Sequence, residues 1–325
     1  MKILVIGLGS MGKRRIRLLR QLINNVDIIG FDNDNARMSE VASTIAIRTT
    51  LDYKMTSELE QIDACFVCVS PPNHFEIIKY FITKNLNVFT EINIVNEKYN
   101  ELIELIKGAT SKVFLSSTMK YRQELIEINR QIKTNAKTLN YQYHVGQYLP
   151  DWHPWEDYSS FFVGEKSTNA IREILAIELP WIIDSIGKIK HFSIIKNNIS
   201  TLKIDYPDVL NIILIHNNGN TGSFVIDLVS RPPIRELNIV SEGMTITWKG
   251  APNSLTIQTK DDLILPFIDE NFDSKEKPSF NKDQPYIEEI LEFLNFIDGT
   301  CIAPKHDYIK DMETIAIINE IENEF

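Results

Sequence analysis

Directly after the apolar run Ile3-Leu4-Val5-Ile6 the chain reads Gly7-Leu8-Gly9-Ser10-Met11-Gly12. Few short sequences restrict a fold as strongly. In a strand-turn-helix context the spacing GxGxxG gives each glycine a role: Gly7 makes the tight turn, Gly9 admits a pyrophosphate close to the backbone, and Gly12 lets the helix sit against the strand. The helix N-terminus, with Ser10 and Met11 in its first turn, then offers unpaired N–H donors to the phosphates. Helical apolar spacing at Ile16, Leu19, Leu22 and Ile23 and a second apolar strand from Val26 to Phe31 supply that context. Asp32 ends the second strand, twenty residues beyond Gly12. A carboxylate there accepts hydrogen bonds from ribose hydroxyls and repels a 2′-phosphate, so the expected cofactor is NAD rather than NADP.

A chain of 325 residues has room for two domains. Its net charge of −10 argues against nucleic acid as a partner. The short basic run Lys13-Arg14-Arg15-Ile16-Arg17 reads as the solvated face of the first helix. No apolar stretch reaches the roughly 18–20 residues of a membrane span, and the first strand begins without a signal-peptide pattern, so the expected location is cytoplasmic. Cys65 and Cys68 lie in an apolar strand and read as buried filler. No Cys/His group has the spacing of a metal site, and none is expected.

Strands and helices alternate through the first 120 residues, which predicts a doubly wound parallel α/β sheet, a Rossmann domain over 1–120. The fourth strand ends in Ser70-Pro71-Pro72-Asn73-His74, the fifth at Glu91, and the sixth shortly before Lys120. Ligands of such sheets bind outside the carboxyl ends of the strands, so Ser70, Pro71, Pro72, His74 and Glu91 join the expected cofactor contacts. From about residue 135 the rhythm becomes strand-rich, with turns at Asn217-Asn218-Gly219-Asn220 and Glu242-Gly243. Residues 121–325 therefore read as an α+β domain for substrate and oligomerisation, with a mostly antiparallel open sheet and a helix over 175–186, its C-terminal helices free to pack back on the first domain.

With these residues in view, the sequence resembles the glucose-fructose oxidoreductase, inositol dehydrogenase and MocA family. Gly7 to Gly12, Ser70-Pro71-Pro72-Asn73-His74, Glu91, Arg122 and the closing segments 286–299 and 311–320 carry the resemblance. It implies an NAD(P)-dependent oxidoreductase, commonly a homodimer or homotetramer joined through the open sheet. Two family residues are missing. Where the family reads Glu-Lys-Pro, this chain has Glu91-Ile92-Asn93, and isoleucine can neither donate nor accept a proton. The family's histidine falls at Ile177.

Replacement groups are Lys120, near the expected nicotinamide end, His153 as an acid/base in the second domain, and Glu178 on an otherwise apolar helix. The segment Gln147-Tyr148-Leu149-Pro150-Asp151-Trp152-His153-Pro154-Trp155-Glu156-Asp157-Tyr158 offers flat rings and hydrogen-bonding groups to a sugar. Trp152, His153, Trp155, Asp157 and Tyr158, with Lys120 and Glu178, are the expected substrate contacts. Similar segments in family members associated with cell-surface polysaccharides point to a nucleotide-linked sugar. Two other readings follow from the missing pair: a binding protein without turnover, and a lyase or epimerase using NAD transiently.

Overall fold

The computed structural model describes all residues except Asn96, Trp155, Phe161 and 268–282. The chain forms two units, one of Met1–Tyr121 with Asp283–Glu313 and one of Arg122–Lys282 with Thr314–Phe325.

The first unit alternates strand and helix: β1 (Lys2–Ile6), α1 (Ser10–Leu22), β2 (Asp27–Phe31), α2 (Asn35–Thr44), β3 (Arg48–Thr49), α3 (Tyr53–Leu59), β4 (Ala64–Val67), α4 (His74–Thr83), β5 (Asn87–Thr90), α5 (Tyr99–Gly108) and β6 (Val113–Leu115). Its six strands are all parallel in the order β3-β2-β1-β4-β5-β6. The order reverses at β1, which puts the glycine turn where an open α/β sheet binds its ligands. β1 and β4 are buried almost throughout, as strands covered on both faces require. β3 is short and begins only at Arg48, because Ile45 still closes α2.

The second unit holds α6 (Gln123–Asn135), β7 (Leu139–Gly146), α7 (Ala170–Ile186), β8 (Ile189–Asn197), β9 (Val209–His216), β10 (Thr221–Asp227), β11 (Ile234–Ser241), β12 (Met244–Trp248), β13 (Thr256–Thr259) and β14 (Leu263–Ile264). They form an eight-stranded sheet in which β7 and β10 are parallel and every other pair is antiparallel. Burial alternates along β9 and β11, so one face is covered and the other open. Helix α7 is buried on nearly every side and keeps Pro180 inside it.

Two helices close the chain. α8 (Asp283–Asp298) belongs to the first unit, where Ile290 and Phe293 join the core of Ile3, Val5, Ile16, Phe66, Phe89 and Phe114. α9 (Tyr308–Glu322) begins in the first unit and ends in the second.

Candidate active site

Gly7 has φ of +92°, and a Cβ there would lie 2.6 Å from the carbonyl carbon of Cys68. A Cβ on Gly12 would stand 1.9 Å from the carbonyl oxygen of Gly7, so helix and turn approach as closely as the motif requires. Gly9 differs: the nearest atom to its Cβ position, among those within 4 Å, is Nη1 of Arg37 at 3.9 Å. Space is therefore open in front of Gly9. Gly9 is also the N-cap of α1 and no side chain caps the helix, which leaves its first N–H groups, including those of Ser10 and Met11, to an incoming anion. Open space and uncapped donors fit the pyrophosphate of a dinucleotide.

Asp32 follows β2 and is held by the turn itself. Its Oδ2 accepts the Leu8 N–H at 2.7 Å and its Oδ1 the Asp34 N–H at 2.9 Å. Each carboxylate oxygen retains acceptor capacity for a ribose hydroxyl. Arg37, which the sequence reading did not single out, places its guanidinium 3.9 Å from that carboxylate and half-exposed. Its signal was a cation one turn into α2, beside the acidic strand end.

The turn after β4 abuts the glycine turn through the Cys68 and Val69 backbone. Ser70 precedes the short helix Pro71–Asn73, and its hydroxyl accepts from Asn73 Nδ2 at 3.0 Å. The prolines cost no ladder bond because the strand has already ended. His74 is buried and donates from Nε2 to the Val69 carbonyl at 2.9 Å, while Nδ1 has no partner among the described residues. Burial lowers its pKa, so it is the neutral imidazole that braces this turn.

Glu91 does not stand open to the cofactor as expected. Arg15, fully buried on α1, donates to Glu91 from Nε at 2.6 Å and from Nη2 at 3.0 Å, and from Nη2 to Glu289 on α8 at 2.8 Å. Ser116 Oγ and the Ser117 N–H add to Glu289. Burial opposes the charge on Arg15, but the two carboxylates outweigh it and raise its pKa. Burial raises that of Glu289. The reading of Lys13 to Arg17 as one solvated face is thus corrected at Arg15. Residue 15 lies three after Gly12 and four before Leu19, on the inner face of the helix. Beside this cluster, Cys65 is fully buried and the Cys68 thiol lies 3.7 Å from Glu91, with burial pushing both thiols up.

Lys120, in the turn Thr118–Tyr121 after β6, is half-exposed and donates from Nζ to the Lys305 carbonyl at 2.8 Å. It stays at the carboxyl end of the sheet, tied to the loop that follows α8.

In the second unit Glu178 is a core residue, contrary to its reading as a substrate or catalytic group. It is fully buried, with Oε1 2.5 Å from Arg235 Nη1 and Oε2 accepting from Tyr143 OH and Trp181 Nε1, both at 2.8 Å. A buried carboxylate surrounded in this way is a structural pair. The sequence could not show it, because Arg235 and Tyr143 arrive on β11 and β7 from far along the chain.

The aromatic segment is tied down locally. Trp152 donates to the Gln147 carbonyl at 3.3 Å, and His153 Nδ1 lies 2.7 Å from Glu156 Oε1 with its ring partly exposed. The Ser159 N–H and hydroxyl bind Asp157 and lower its pKa. Tyr158 OH accepts the Lys203 N–H at 3.1 Å. Trp155 lies outside the described residues. A second histidine-carboxylate pair went unread in the sequence: His144 Nε2 is 2.6 Å from Asp227 Oδ2, on the open face of the sheet.

The parallel sheet, the glycine cradle at its switch point and Asp32 define a dinucleotide-binding domain. Residues 1–116 match the model of the oxidoreductase family with NAD-binding Rossmann fold, the glucose-fructose oxidoreductase, inositol dehydrogenase and MocA group. No curated protein matches the sequence. Among solved structures, the fold is similar to UDP-N-acetylglucosamine 3-dehydrogenase GnnA from Acidithiobacillus ferrooxidans, at 16% identity over 99% of this chain and 97% of that one, with a TM-score of 0.74. It is similar to myo-inositol 2-dehydrogenase from Lactobacillus plantarum at 16% identity, over 99% and 96%, with a TM-score of 0.78. Biliverdin reductase from Synechocystis sp. PCC 6803, in complex with biliverdin and NADP+, is 12% identical over 99% and 98%, with a TM-score of 0.76. At such identities the likeness is one of fold. Among the described residues no helix is long and apolar enough to cross a membrane.

Proposed function

We propose that the chain is an NAD(H)-dependent oxidoreductase acting on a sugar hydroxyl or ketone, with a nucleotide-linked sugar for cell-surface polysaccharide as the favoured substrate. The observation that carries the reading is the cradle: space in front of Gly9, an uncapped α1 N-terminus and Asp32 fixed at the ribose end. When bound there, the dinucleotide supplies hydride acceptance and donation. The chain binds its phosphates through the turn and its ribose through Asp32. Lys120, at the carboxyl end of the same sheet, offers an ammonium to the substrate oxygen, and Trp152, His153 and Tyr158 offer rings and polar tips to a sugar. Two of the three similar proteins described above are named for a sugar or cyclitol dehydrogenase, which supports the substrate class. The third is named for biliverdin, so the substrate is set by residues outside the shared fold.

A self-association through the open sheet face, as a homodimer or homotetramer, belongs to the same proposal. Ile195, Ile213, Ile215 and Val240 are exposed on that face by 73%, 52%, 37% and 50%, more apolar surface than a sheet bathed in water needs. The rival reading, a dinucleotide-binding protein without turnover, draws on Ile92 and on the closure of both Glu91 and Glu178 inside ion pairs. A panel of nucleotide sugars followed by nicotinamide absorbance separates the two. Turnover of at least one compound with NAD is expected. NADH binding with no turnover across the panel would favour the rival.

A further inference from the structure

The basic run Lys13-Arg14-Arg15-Ile16-Arg17 gives up Arg15 to buried ion pairs, and the dinucleotide cradle described above uses none of its other cations. Ser10, Lys13, Arg14, Arg17 and Arg20 recur at helical spacing along α1, so they share one outward face. With Thr44 and Ile45 at the end of α2 they line an open groove of about 530 Å³, the size of a small-ligand site. None of these lining residues is acidic, and all belong to the first unit.

The four cations are held in two ways. Lys13 pairs with Glu40 at 2.5 Å, and Arg17 forks onto Asp283 at 2.8 and 2.7 Å. Both pairs are solvent-exposed, where an ion pair adds little stability and its partner is easily exchanged. Arg14 and Arg20 are held by neutral groups instead. The Arg14 guanidinium lies 4.6 Å from the centre of the Tyr286 ring, with Nη1 3.9 Å from Met11 Sδ, and it forms no ion pair among the described residues. Arg20 donates to the Ile45 and Ala46 carbonyls, to the second at 2.8 Å. A ring or a carbonyl orients a guanidinium without cancelling its charge. The groove thus sets four cations against two carboxylates, Glu40 and Asp283, in a chain whose net charge is −10.

From Lys13 to Arg20 the helix rises about 10 Å. A single phosphate cannot touch both ends of such a row, whereas two or three linked phosphates can. Guanidinium forks match phosphate oxygens in pairs. The row is too short for the extended basic surface of a nucleic-acid binder, and the acidic chain around it opposes one. We propose that the outer face of α1 is a second anion site, separate from the dinucleotide cradle, for a small ligand bearing two or more linked phosphates. Lys13 and Arg17 exchange their exposed carboxylates for phosphate oxygens. Arg14 and Arg20 meet the ligand with the N–H groups that their neutral partners leave over.

Calorimetric titration of the full chain with inorganic triphosphate at low salt tests this. The wild type should bind it. Gly9→Val should bind it within threefold of the wild type while losing NADH, and Arg14→Gln/Arg17→Gln should bind it at least tenfold more weakly while keeping NADH within threefold. Retained NADH binding shows that the double variant is folded. Lys13→Gln gives up only an exposed pair and should weaken triphosphate severalfold, so the result does not hang on one variant. A parallel titration with a nucleoside triphosphate separates the sources: tighter binding than the inorganic chain assigns the site to a nucleotide, equal or weaker binding to the free phosphate chain, and either result upholds the site. No binding by the wild type, binding lost in Gly9→Val, or binding unchanged in the double variant and in Lys13→Gln overturns the proposal.

Discussion

Glu178 and Glu173 lie five residues apart on one helix, and they differ in what surrounds them. Glu178 is held by a guanidinium, a phenol and an indole. Glu173 has a covered oxygen with no partner among the described residues. The first unit repeats the Glu178 pattern, where Arg15 joins Glu91 and Glu289. Burial alone therefore does not decide how a carboxyl responds to pH; whether it also has a partner does. Breaking a satisfied pair should unfold the protein, whereas altering the unsatisfied group should change how the protein responds to pH.

The largest effect is expected from Arg235→Met. It leaves Glu178 buried without its counter-charge and should cost about 3–5 kcal/mol, read as a lower urea midpoint. A loss under 1 kcal/mol would mean that the pair is not the desolvated contact seen here. Next comes Gly9→Val. Its Cβ meets no protein atom closer than 3.9 Å, so the thermal midpoint should hold, while NADH affinity should fall more than tenfold as the side chain fills the space before α1. Undiminished binding would remove the cradle.

Glu173→Gln sharpens the comparison directly. The carboxyl has an ordinary value of 4.5 and a folded value of about 7. A folded pKa raised in this way favours the folded state only while the group is protonated, so the wild type should lose stability as pH rises from about 4.5 to about 7 and level off above. The variant should lack that decline, so its advantage should be greater at pH 8 than at pH 5 in urea denaturation. Equal pH dependence would mean that Glu173 is solvated. The smallest effect is reserved for Asp32→Ala, which should weaken NADH several-fold and improve NADPH, because Arg37 is then left to meet a 2′-phosphate. Unchanged discrimination in fluorescence titrations would put the ribose elsewhere.

The glycine turn was legible in the sequence because its logic is local: Gly7, Gly9, Gly12 and Asp32 are set by spacing along one strand-turn-helix-strand unit. The sheet of the second unit was legible for a similar reason, since alternation along each strand reports which face is covered. Glu91 and Glu178 could not be placed in the same way. Their partners depend on which strands and helices come together, Arg15 reaching Glu289 across 274 positions and Arg235 reaching Glu178 across 57. Glu173 escaped notice for the complementary reason. An acidic residue in the first turn of a helix is ordinary in sequence, and its isolation is created only when the fold buries it.

The central claim, that the turn at Gly7 to Gly12 holds a nicotinamide dinucleotide, is tested most directly by calorimetric titration of the purified chain with NADH. One molecule per chain is predicted, binding more tightly than NADPH and lost in Gly9→Val. A chain that takes up neither nucleotide would contradict the account.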